Sequence, residues 1–319
     1  MRRVGRVVRV VVAALAVATL ASACLPPPSP SKPPVLAAAC AHTLVGSTPG
    51  IVVSNAITEA SGIAASRRVD NVWWVHNDSG DTARVFAIST TGQTLGEYLL
   101  SGATAVDWED IAVGPGPTAG VSYLYVGDIG DNAKSRSSVQ VYRVPEPLVN
   151  PAAPVSSPQT LTGVATIDLQ YPDGPHDAEG LFVDPTSRDV FVVTKDLVGG
   201  VAGVYRAPAP VGGTSTTMTK VATVALGPLQ GVTAADITPA GDVIALRTYL
   251  GVFLYPRTSG TTVAQAFSQS SCAGAAPPVN GGWPGSEPQG EALGFTRDGR
   301  GYVTLSEGAH PPLHRFVAP

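Results

Sequence analysis

From residue 60 to the C-terminus the chain repeats one order of parts: a short apolar run, a turn, and three further runs, restarting every fifty to seventy residues. The first unit reads SGIAAS, VWWVHND, RVFAIS and TLGEYLL, and the second EDIAVG, YLYVGDI, VQVYRV and ATIDLQY. The third reads EGLFVDP, VFVVTKD, GVYRAP and KVATVAL, and the fourth ADITPAG, VIALRTY, GVFLYP and VAQAFS. The fifth stops after EALGFTRDG, GYVTLSE and LHRFV. With Ile63, Ile111, Leu181, Ile237 and Leu293 as equivalent anchors, the spacings are 48, 70, 56 and 56, the long one holding the Pro-rich stretch 145–159. The 35 glycines and 29 prolines are scattered throughout, so little length remains for helices.

Four short strands per unit, repeated about an axis, make a β-propeller of four-stranded antiparallel blades. The fold class is therefore all-β, with five blades counted and six allowed if a degenerate unit is hidden. A β-sandwich gives no reason for such a repeat. The fifth unit lacks an outer strand, and TLVGSTPGIVVS (43–54) precedes the first unit with no other role. It is expected to supply the missing strand and close the ring. Cys40 and Cys272 then fall near the outer rim of neighbouring units as a disulfide pinning that closure. The alternative is two unpaired thiols. No CxxC or Cys/His cluster points to zinc.

Residues 1–23 read as a signal peptide: Arg2, Arg3, Arg6 and Arg9, an apolar core too short for a permanent membrane span, then Ala21-Ser22-Ala23. Cys24 follows where a lipoprotein cysteine would stand, so lipidation and ordinary cleavage both stay open. Residues 24–39, with LPPPSPSKPP, read as a lipidated or disordered Pro-rich tether, and 40–319 as a single propeller domain, folded from Val35 or Cys40 onward. The expected location is extracytoplasmic, either lipid-anchored on the outer face of the cell membrane or secreted. The whole chain carries −4; removing 1–23 takes away four arginines and no acid, leaving −8. That balance excludes nucleic acid as a partner, which would need clustered Lys and Arg. A monomer is expected, touching membrane only through a lipid anchor, with a small molecule or a protein as its ligand.

Loops entering a first strand, and loops joining second to third strands, share one face of a propeller. HNDSGD (76–81), GDIGDN (127–132), TKDLVGG (194–200), RTYLG (247–251) and SEGAHPPLH (306–314) therefore gather at one channel mouth. The strand entries add Ser61, Glu109, Glu179, Ala235 and Glu291 at one aligned position, and Glu59, Asp107, Asp177, Thr233 and Gln289 two residues earlier. Carboxylates facing one another in a desolvated channel need raised pKa values, donors or a cation. Calcium suits an oxygen-only set, with Glu109, Glu179 and Glu291, and Asp107 and Asp177 beside them, as candidate ligands. The bland alternative has the glutamates bonding to amides of the next blade.

Asp78, Asp81, Asp128 and Asp131 of the two Asp-x-Gly-Asp turns either cap their own turns or extend the acidic mouth as ligand contacts. They do not match the EF-hand pattern. His76, His176, Lys195 and Arg247 are candidates for a general base or an anion-receiving group, with His310 and His314 on the same face. Trp73, Trp74 and Trp283 are expected to pack, and Trp108 to serve as a possible ligand platform. No GxSxG elbow is present, and GPGPTAG (114–120) reads as a hairpin.

EGLFVDPTSRDVFVVTKD (179–196), with DWEDIAVGP and GEALGFTRDG, resembles secreted propellers carrying an E-G-[LI] first-strand motif. These are the esterase-like phytase propellers and, more distantly, the regucalcin and gluconolactonase group. The resemblance implies a channel-bound divalent cation, commonly calcium, and in some members hydrolysis of esters, lactones or phosphoesters. Glu109, Glu179 and Glu291 match the glutamate of the motif; Ser61 and Ala235 depart from it. Two functions follow: an exported, membrane-anchored propeller binding a cation and a ligand at its acidic mouth, or a calcium-dependent ester or phosphoester hydrolase.

Overall fold

A computed structural model describes residues 32–277 and 287–319. The signal segment 1–23, Cys24, the tether as far as residue 31 and Trp283 lie outside the described residues. The rest forms five mainly antiparallel sheets, so the described residues make five blades and no sixth. The inner strands are Ala60–Ala65, Trp108–Pro115, Ala178–Val183, Val232–Ile237 and Gly290–Phe295. Each packs on the next, and the fifth packs on the first to close a ring. All five are almost wholly buried because neighbours cover both faces, which is why they read as apolar runs rather than alternating ones.

Closure is by the N-terminal strand. Val45–Ile51 runs antiparallel to Pro312–Val317, with Val45 opposite Val317 and Ile51 opposite Pro312. Cys40 and Cys272 are disulfide-bonded, their Cα atoms 4.9 Å apart across 232 residues of chain. Cys272 opens the outer strand of the fourth blade, Cys272–Gly274, so the bond ties the approach to the closing strand to the neighbouring blade.

Three local expectations fail. VAQAFS is not the outer strand of the fourth blade. Val263–Phe267 is a short helix capped by Thr262 and Gln265, because Val263, Ala266 and Phe267 share one helical face and bury it, with Phe267 against Tyr255. Pro34–Cys40, the end of the expected tether, is also helical, with Val35, Leu36, Ala38 and Ala39 buried. Two short strands, Gln159–Leu161 and Ser215–Thr217, add a parallel fifth strand to the first and second blades. The first of these ends the Pro-rich insertion.

Five apolar clusters fill the five seams between blades. Trp74 and Trp108 lie in the seam of the first and second, and Trp73 in the seam of the fifth and first. The helix Pro34–Cys40 seals the seam of the fourth and fifth blades with Val35 and Leu36. Each seam removes several large side chains from water at about 25 cal/mol per Å² of apolar area. Rigidity at the axis follows from this packing. Among the described residues no helix is long and apolar enough to cross a membrane.

Candidate functional site

Every inner strand carries a β-bulge near its start. The register slips between Ala60 and Gly62, Trp108 and Asp110, Ala178 and Gly180, Val232 and Ala234, and Gly290 and Ala292. The extra residues are Ser61, Glu109, Glu179, Thr233 and Glu291, and a bulge re-aims the side chain it carries. This corrects the fourth unit by two residues. Ala235, not Ile237, is the equivalent of Ile111, and Thr233, not Ala235, stands in the glutamate position. The larger Ile237 had drawn the alignment past the bulge.

The two hydroxyls in this position stitch blades together. Ser61 Oγ donates to the Glu109 carbonyl at 2.6 Å, and Thr233 Oγ1 to the Gly290 carbonyl at 3.0 Å. The three glutamates are each 4 % exposed, and among the described residues none accepts from an amide of the next blade. That amide-binding role falls to Asp110, one residue on, which sequence reasoning missed. Its carboxylate accepts from the N–H groups of Ile111, Leu181 and Ala235, thereby joining the second, third and fourth blades at the axis. Asp236 does the same for Ile237 and Phe295. The aspartate in EDIAVG was visible, but only the ring shows what faces it.

The acidic side chains converge in two overlapping groups, Asp78–Asp107–Glu109 and Glu109–Asp177–Glu179, one oxygen of each residue lying within 4.8 Å of the others in its group. Glu291 lies close enough for its charge to push Glu179 further up. Its own carboxylate accepts from Gln289 Nε2 at 2.8 Å. Burial raises Glu109 well above the usual carboxylate range, with added repulsion from Glu179, Asp78 and Asp107. Burial likewise raises Asp107 to about 6, helped by Asp78 and Asp177, and Glu291 to about 7 against the pull of Gln289 and Lys195. Asp78 is raised by burial, with Glu59 adding to it.

Lys195 is the cation already in this ring. Its ammonium pairs with Glu179 Oε1 and donates to the Tyr249 hydroxyl at 2.8 Å. Burial works to lower its pKa, but Glu179 more than offsets this and the amine is held protonated. Tyr249 was missed from the sequence, although it sits in the expected RTYLG connection. One ammonium cannot balance five carboxylates. Among the described residues the Glu109 carboxylate has no hydrogen-bond donor, and its burial beside like charges makes its ionised form costly.

The second Asp-x-Gly-Asp turn builds the ring rather than joining it. Asp128 accepts from the N–H groups of Val106 and Asp107, and pairs with Arg136 at 2.8 Å. A side chain on Gly130 would collide with Glu109 Oε1 and Asp107 Oδ2, so glycine makes the room they share. Asp131 caps Ser135 and Arg136 and directs its own N–H to Asp177. In the first turn Asn77 takes the place of Asp128, accepting from Thr58 and Glu59 N–H at 3.1 and 3.2 Å. Asp81 is held by Asn77 and Arg84. Only Asp78, of the four turn aspartates, enters the cluster.

Of the basic candidates only Lys195 pairs with a ring carboxylate, although the charge of Arg247 also reaches Glu291. His76 is wholly buried against Trp108, its Nδ1 on the Asn77 carbonyl, and burial pushes it down to about 4. Arg247 is buried in an ion pair with Glu287 and donates to the Ala292 carbonyl. His176 bonds Asp173 and Tyr205 away from the glutamates. His310 and His314 bond Val52 and Thr48 at the ring closure. Trp108 is 1 % exposed, donates to the Thr104 carbonyl and packs, so it offers no ligand platform.

No family model matches this chain, and no curated protein matches it. Among solved structures it is similar to the crystal structure of the RRP9 WD40 repeats, at 9 % identity and a TM-score of 0.42, covering 86 % of this chain and 100 % of that one. The architecture rests on the chain's own sheet topology: it is a five-bladed β-propeller with its candidate site at one mouth of the channel.

Proposed function

We propose that this chain is an exported β-propeller that holds a divalent cation, calcium by its donor set, at the acidic mouth, and that ligand or partner binding is organised around that ion. The observation that carries this reading is Glu109, buried among Asp78, Asp107, Asp177 and Glu179, its carboxylate without a donor among the described residues. Oxygens mutually within 4.8 Å suit an ion whose ligands stand about 2.3–2.6 Å from it. Carboxylates from strand entries of separate blades would supply its charge, and backbone carbonyls, water or ligand oxygens would complete it. Lys195 beside the ring would favour a ligand with an anionic oxygen. Export and anchoring rest on the basic, apolar and small-residue segments ahead of Cys24.

Calorimetric titration of the chelator-treated protein with calcium tests the reading. The expected result is stoichiometric binding that Glu109→Gln weakens by about tenfold or more, with a calcium-dependent rise in Tm. No heat and no Tm shift would end it. Turnover of an aryl ester or of phytate that requires calcium and is lost in Glu179→Gln would replace the binding reading with the hydrolase implied by the phytase-like motif.

A further inference from the structure

The far end of the channel has the opposite character. There the inner strands of the second, third and fourth blades run out through Val113, Val183 and Ile237, followed by Pro115, Pro185 and Pro239. With Arg67 at the end of the first blade's inner strand, they enclose a cavity of about 250 Å³. Arg67 is the only charged side chain lining it. Its Nη1 is buried and has no hydrogen-bond partner. Among the described residues it belongs to no ion pair.

The acids whose charge reaches Arg67 are already engaged. Asp236 binds two amides, and Glu146 accepts from Ser66 Oγ, Trp74 Nε1 and Ser122 Oγ. They offset part of the guanidinium's charge from a distance and leave Nη1 unfilled. Arg297 adds a second positive charge nearby. An arginine does not shed its proton to escape burial, so the demand for an acceptor stays. The planar fork matches a carboxylate, and the apolar wall opposite suits a hydrocarbon body better than a hydrated phosphate.

We propose that this second mouth binds a small organic carboxylate, with Arg67 as its counter-ion and the Val113–Val183–Ile237 wall around its apolar part. The site is separate from the acidic ring and owes nothing to a cation there.

Butyrate, butyramide and inorganic phosphate, each titrated into the full chain by calorimetry and by ligand-observed NMR, provide the test. Butyrate should bind saturably, and the neutral butyramide and phosphate should not. Arg67→Met should weaken butyrate by about tenfold or more, as loss of a charge-assisted pair does, while Glu109→Gln leaves it unchanged. Because Arg67→Met can disturb folding, butyrate protection of Arg67 against phenylglyoxal, read by peptide mass spectrometry on the unaltered protein, gives an independent measure. Absence of butyrate binding, equal binding of butyramide or phosphate, undiminished binding by a folded Arg67→Met, or no protection of Arg67 would each overturn the proposal.

Discussion

The backbone N–H of Asp131 donates to Asp177 Oδ1 at 2.9 Å, so a turn of the second blade orients an acid that introduces the third. The same turn opens space at Gly130 for Glu109 and Asp107. One short segment thus sets the positions of three carboxylates from two blades.

Gly130→Ala should therefore damage cation binding more than stability. Its φ is not in the left-handed region, so alanine fits the backbone, and the cost falls on the two carboxylates its methyl displaces. Calcium affinity should drop by about tenfold or more, measured by calorimetry, with the thermal unfolding of the metal-free protein changed little.

The metal-free protein should lose stability as pH rises from about 5 to about 7.5. Glu291 and Asp107 have folded values of about 7 and about 6, above their ordinary 4.5 and 3.8. An acid with a raised folded value contributes fully below its unfolded value, and that contribution disappears as pH climbs through the folded one. Asp81, Asp184 and Asp298 are lowered instead, and their effect lies in the more acidic range. His76, lowered to about 4, and His314, also lowered, oppose the decline below about pH 6.5, so the fall is steepest above that pH. Calcium should cancel the decline, and Glu291→Gln should lessen it, leaving the part due to Asp107. Scanning calorimetry at stepped pH with chelator would contradict this with a level or rising Tm.

Asp110→Ala should be among the most damaging single changes, costing about 3–5 kcal/mol, because three buried amides lose their acceptor. Asp110→Asn keeps a carbonyl oxygen with two lone pairs and should cost about 1–2 kcal/mol. Urea midpoints of the two variants make the comparison.

Breaking the Cys40–Cys272 bond by a double serine substitution should lower stability by about 3–5 kcal/mol, since it releases a very long loop in the unfolded chain. Dithiothreitol should reproduce the loss in the unaltered protein and leave the double variant unaffected, as differential scanning fluorimetry would report.

The ring was readable because each blade repeats its local pattern, and repetition alone places Glu109, Glu179 and Glu291 at one mouth. What stayed hidden needed three dimensions. The bulge that makes Thr233 the partner of those glutamates leaves no mark in composition, and the bulky Ile237 masked it. Asp110 stands next to Glu109 in the chain, yet its three amide partners come from positions up to 125 residues away. For Asp128 and Asp131 the sequence left turn capping and ligand contact both open, and they bond backbone amides, because short acidic side chains meet amides as readily as they meet ions. His76 and Arg247 carry polar groups on strand ends that the seams then covered.

Joining Val45–Ile51 to Pro312–Val317 means that the first of these strands has no neighbour until the second, already paired with Gly301–Ser306, has been made. A chain ending ahead of residue 312 would leave that first segment an open edge, free to pair with whatever exposed strand it met. Order of manufacture is thereby tied to shape: the seam stays loose until both strands exist.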